Sequence, residues 1–140
     1  MALVAATAKL NWSIGDGDGG TDGPVKTANT ARDGTGTVNT IFTAGASGSI
    51  VNRVTCIACG TNVASVARFF VNNGSASSNQ DNNIICREVA LPETTSTEED
   101  EQGAVYMTTP IILPNSYKLL VVIGTTVVGG WRFFVEGADF

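Results

Sequence analysis

The residues best suited to chemistry cluster in three places. The first is Asp16-Gly17-Asp18-Gly19-Gly20-Thr21-Asp22-Gly23, where carboxylates alternate with glycine. A turn of this kind can offer several hard oxygens to one cation. Asp16, Asp18 and Asp22 fall at positions 1, 3 and 7 of an EF-hand count, but position 12, where a bidentate Glu is needed, is Thr27. No helix flanks the turn, so these aspartates are candidates for a structural Ca²⁺ set against a solvated acidic turn or a partner-facing loop. As a phosphate cradle the glycines lack the Lys-Ser/Thr that must follow.

The second place is Cys56-Ile57-Ala58-Cys59, with Cys86 as a third thiol. In an extended strand, residues three apart point to opposite faces, so this spacing does not bring two thiolates onto one zinc ion. Buried, small, apolar thiols are the expectation. The third place is the carboxylates Glu88, Glu136 and Asp139, which in principle could pair for general acid/base work on a glycoside but read equally well as surface charges. The chain has no histidine, which removes every His-based triad. Non-enzymatic function is expected.

The elements that must position these residues are short. Bulky β-branched and aromatic segments such as Ala67-Arg68-Phe69-Phe70-Val71 run into turn residues, here Asn72-Asn73-Gly74. Strands are expected near 37–44, 49–59, 64–72, 83–91, 103–109, 111–113, 117–123 and 128–136. Nothing suggests a βαβ crossover, so the fold class is all-β, an antiparallel β-sandwich of jelly-roll type with an N-terminal arm. Alternation puts Ile50, Asn52, Val54, Cys56 and Ala58 on one face and Val51, Arg53, Thr55 and Ile57 on the other. In the last strand Trp131, Phe133 and Val135 share a face, with Arg132, Phe134 and Glu136 opposite. Bulky residues on both faces suit a protein that packs against neighbours.

The chain divides into an N-terminal strand or arm plus Asp/Gly-rich loop, 1–36, and a strand-dense body, 37–140, within a single domain. Within the first part, 1–14 is the strand or arm. The stretch 15–36 reads as a long loop, mobile or ordered by a partner. Of 140 residues, 43% are hydrophobic and 15% charged, which supports a folded core. The net charge is −5 and the eight basic residues are scattered, so nucleic acid is not an expected partner. The most apolar stretch, Leu119 to Ile123, is strand-sized, and the start lacks a basic n-region. Neither a membrane span nor a secretory signal is expected, and synthesis is placed in a host cytoplasm. The acidic run Glu98-Glu99-Asp100-Glu101 reads as a solvated loop or an electrostatic contact.

Six segments, in order, resemble the small capsid decoration (cement) proteins of tailed bacteriophages, of the type found among phages of cyanobacteria and marine bacteria. They are Thr40-Ile41-Phe42-Thr43-Ala44-Gly45; Gly48 to Gly60 around Arg53-Val54; Val66 to Gly74; Cys86-Arg87-Glu88-Val89; Ile112-Leu113-Pro114-Asn115-Ser116-Tyr117-Lys118-Leu119; and the ending Gly137-Ala138-Asp139-Phe140. The resemblance covers roughly 37–140; a longer 15–36 segment and the acidic 92–102 loop depart from it. It implies a jelly roll without catalysis on the outer surface of a virion's mature capsid. The implied partners are the major capsid protein and further copies of the chain, as a homotrimer. Leu3, Val4, Leu10, Trp12, Phe134 and Phe140 are the apolar candidates for capsid or subunit contact. The small residues Ala2 to Ala8 could add a strand to a neighbour's open edge. The alternatives are another virion part, such as a head-fibre or tail-fibre domain, and a carbohydrate-binding β-sandwich module using Trp12 near the acidic loop.

Overall fold

The computed structural model describes residues 23–108 and 110–140, together with the strand pairing of 9–13. Among the described residues there are nine strands: β1 (Lys9–Ser13), β2 (Asn39–Thr43), β3 (Ser49–Ala58), β4 (Ser65–Asn72), β5 (Asn83–Leu91), β6 (Val105–Met107), β7 (Ile111–Leu113), β8 (Lys118–Ile123) and β9 (Trp131–Asp139). The first sheet runs β1-β9-β3-β6, with β7 also on β3, and the second runs β2-β8-β4-β5. All pairings between these strands are antiparallel. β6 and β7 lie end to end along one edge of β3, opposite Val54–Cys56 and Ser49–Val51 respectively. They therefore occupy a single strand position, broken near Pro110, whose missing N–H cannot join a ladder.

The pairing has a nested form. β4 pairs with β5, β3 with β6 and β7, β2 with β8, and β1 with β9. That is one long hairpin whose successive rungs fall alternately in the two sheets, the jelly-roll topology. Alternation decides which side chains face inward. Trp131, Phe133 and Val135 of β9 are buried, as are Val54, Cys56 and Ala58 of β3. Phe69 of β4 meets Phe133 of β9 edge-on across the two sheets, with ring centroids 6.0 Å apart.

At one place the alternation fails. Between Val51 and Arg53 the β3–β9 register slips by one residue. This β-bulge turns Val51, not Ile50, into the core beside Val54. The expected face of Ile50, Asn52, Val54, Cys56 and Ala58 is thus corrected: Ile50 joins Arg53, Thr55 and Ile57 on the outside. Gly137 accommodates the bulge. A Cβ there would sit 2.3 Å from the Ile50 carbonyl oxygen.

The segment before β2 departs from expectation too. Residues 23–38 are tied to their own body, in place of the expected mobile or partner-ordered loop. Val25 exchanges backbone hydrogen bonds with Trp131, the Asn29 N–H donates to the Ile123 carbonyl, and the Val127 N–H donates to that of Lys26. This strap crosses from the first sheet to the second, with Val25 entering the main core. Farther along, Val38 packs with Phe70, Leu120, Val122 and Ile85 in a second apolar cluster on the outer side of the second sheet. Arg32 reaches Glu88 on β5, which also accepts from Arg68. Asn29 holds the strap's own bend through its side chain, donating to the Thr35 and Thr37 carbonyls.

Candidate interaction surface

Its own strap covers part of the second sheet's outer side. The outer side of the first sheet has no such cover among the described residues. Its composition follows from strand parity, because paired residues of antiparallel strands share a face. Phe134, Thr55 and Tyr106 form one row across β9, β3 and β6. Glu136 and Arg53 form the next, and beyond the bulge Ala138, Ile50 and Ile112 form a third. On the other side of the first row, Arg132 pairs with Ile57. Tyr106 is 50% exposed, Ile57 42% and Ile112 68%. Single exposed apolar residues are ordinary, whereas neighbours on one rigid sheet mark a contact surface.

One charge pair on this face is internally matched, while Arg132 at its margin is exposed. Arg53 donates to Glu136 at 2.7 Å, and its guanidinium lies 5.2 Å from the Tyr106 ring centroid. Hydrogen bonding to Glu136, reinforced by its charge, holds the Arg53 pKa above its usual range. Arg53 thus lies over the Tyr106 ring while its charge is taken up by Glu136. Thr55 sits beneath and is only 8% exposed. The arrangement can dock a flat, mostly apolar partner without stranding an unpaired charge from this pair.

The expected contact residues divide. Leu10 and Trp12 take register positions opposite Ala138 and Glu136, so three of the six lie on or beside β9, Leu10, Trp12 and Phe134, and a fourth, Phe140, follows its last residue. Phe134 is half-buried in the middle of the face, while Phe140, 47% exposed, lies roughly 20 Å away at the strand's end. Leu3 and Val4 lie outside the described residues, as do Asp16, Asp18 and Asp22 and the Ala2–Ala8 stretch expected to reach a neighbour. The expected N-terminal strand coincides with β1, which pairs with β9 of its own chain. Tyr106, Ile57, Ile112 and Arg53 are not contact candidates from sequence alone, because cross-strand register carries no local signal.

The remaining candidates are dispersed. Cys56 is buried in β3, Cys59 is exposed just past its end and Cys86 is half-buried in β5, all three as free thiols. Burial pushes the Cys56 thiol up to about 12. Glu88 is engaged by Arg68 and Arg32, Glu136 by Arg53, and Asp139 accepts from Ser49. Among the described residues no group of three or more potential ligands is placed to hold a metal. No protein-family model matches the chain, and no curated protein matches it in sequence.

Proposed function

We propose that this chain is a non-enzymatic structural protein of a virion, which binds the outer surface of a mature phage capsid and cements neighbouring major capsid proteins. The observation that carries the reading is the outer face of the first sheet, where Phe134, Tyr106, Ile57 and Ile112 stand exposed or half-exposed around a neutralised Arg53–Glu136 pair. The ordered resemblance of 37–140 to capsid decoration proteins supports it, and so does the jelly roll those proteins imply.

On this reading the outer face of the first sheet meets the major capsid protein, and the strap-covered sheet faces away. A capsid repeats one surface many times, so a homotrimer gains avidity from several modest contacts. The test is co-sedimentation of purified protein with expanded capsids of its phage. Saturable binding is expected, and the double variant Tyr106→Ser/Ile112→Asp, which changes two exposed side chains, should bind at least about tenfold more weakly with unchanged thermal stability. Equal binding of variant and parent would remove this face from the contact. No binding by either protein would overturn the function.

A further inference from the structure

A concavity at one end of the sandwich lies beside the loop joining β4 to β5 and the turn between β7 and β8. Val71, Asn73, Asp81, Asn82, Ile84 and Tyr117 line it, a shallow depression of about 260 Å³ open to solvent. Its polar groups are only partly used. The Asp81 carboxylate and the Tyr117 hydroxyl make no hydrogen bond or ion pair with any described residue. The Asn73 side-chain amide donates once, to Asn82 Oδ1, and that of Asn82 donates once, to the Ala76 carbonyl. An amide nitrogen carries two hydrogens, so each retains a donor. Beside these groups stand an apolar ring and an isoleucine: Tyr117 is half-buried against the main core, and Ile84 is 66% exposed.

The turn beside the site is braced by its own hydrogen-bond network. Asn83 Nδ2 donates to the Ser77 and Asp33 carbonyls, its Oδ1 accepts from Asn72, and Asn79 accepts from the Asp81 N–H at the start of a short 3-10 turn, Gln80–Asn82. Asp81 therefore sits on a braced turn, and its charge has no described basic residue as a partner. A preformed concavity with a lone acceptor pair, spare amide donors and an apolar wall suits one chemistry well. A sugar ring presents vicinal hydroxyls along its edge and C–H groups on its face, and it carries no charge that Asp81 would repel.

We propose that this concavity binds a neutral saccharide unit. Asp81 accepts from two neighbouring hydroxyls, Asn73 and Asn82 donate to sugar oxygens, and Tyr117 with Ile84 packs on the C–H face. The site lies apart from the Phe134–Tyr106 face, so it is independent of capsid binding and the two can fail separately.

The experiment uses the full chain and the methyl glycosides of glucose, galactose, mannose and N-acetylglucosamine, followed by saturation-transfer NMR and titration. At least one glycoside should receive saturation and bind in the millimolar range. Asp81→Asn should weaken it by about tenfold or more, the loss of hydrogen bonds to a charged acceptor. Tyr117→Phe should weaken it less, and both variants should keep the parent's thermal unfolding. If either variant unfolds, Ile84→Ala, at an exposed position, supplies the comparison and should also reduce affinity. Absence of transfer from all four glycosides would overturn the proposal, as would affinity unchanged in Asp81→Asn or preferential capture of a simple alkylamine by Asp81.

Discussion

Substituting Gly137 with alanine tests the link between the bulge and the outer face. The residue's backbone φ is not positive, so alanine meets no intrinsic backbone penalty there, and the cost is purely one of contact. The new methyl would lie 2.3 Å from the Ile50 carbonyl oxygen, 3.2 Å from its carbon and 3.3 Å from Val51 Cα. A comfortable separation from that oxygen is about 1 Å greater, and the atoms in the way are backbone, with no rotamer to swing aside. β3 must therefore move away from β9 at the residues that set the bulge. Overpacking of this kind costs about 1–3 kcal/mol, and the rigid obstacle places this case at about 3 kcal/mol. For a chain of this size that is a fall in Tm of about 10 °C. Gly103→Ala is the internal control: nothing lies within 4 Å of the methyl it would gain, so its effect should stay within about 0.5 kcal/mol. Urea denaturation of the two variants beside the parent measures both. A Gly137→Ala loss below about 0.5 kcal/mol would refute the claim that β3 and β9 are locked together at the bulge.

Three further outcomes are expected. Asn62 is buried; its Oδ1 accepts from the Gly129 and Gly130 N–H groups while its Nδ2 donates to the Gly130 and Gly60 carbonyls, so Asn62→Ala should cost about 2–4 kcal/mol in denaturation by leaving those groups unpaired. The strap should loosen in acid. The Arg68 hydrogen bond, with Arg32 assisting, lowers the Glu88 pKa, and hydrogen bonds from Thr35 lower that of Asp33. A depressed folded-state pKa contributes stability above the unfolded-state value and loses it as pH falls through the folded one. Protection of the Asn29 amide from hydrogen exchange should therefore hold above the ordinary Glu value of 4.5 and decline below it, with a smaller decline in Glu88→Gln. Protection independent of pH would contradict this. Finally, a thiol reagent at mildly alkaline pH should label exposed Cys59 in the native protein and reach Cys56 only on unfolding, as mass spectrometry of the labelled peptides would show.

Much of the strand layout is legible in local pattern. β3, β4, β5, β7 and β8 begin and end within a residue or so of expectation, because each is a bulky run bounded by Gly, Pro or Asn. β9 is displaced. Expected at 128–136, it runs Trp131–Asp139, since Gly129 and Gly130 are drawn into a turn by Asn62, far away in sequence. The flip of Ile50 and Val51 is invisible in sequence for a similar reason: a bulge is a property of the strand pair. The strap's glycines and threonines resemble those of any open loop, and its anchors are backbone hydrogen bonds to Trp131 and Ile123, which no side-chain pattern announces. Phe134 stands out in sequence because β9 carries aromatics on both faces. Tyr106 and Ile112 do not, because short strands gain meaning only once β3 lies beside them.

Imaging the parent virion, with this chain's density located, tests the capsid reading most directly. The expected result is a jelly roll on the outside of the mature shell, present in several copies around each local symmetry axis. Phe134, Tyr106, Ile57 and Ile112 should lie against the major capsid protein, with the strap over the second sheet facing solvent. Density absent from the shell, or a bound copy whose first sheet faces solvent while another surface makes the contact, would contradict it.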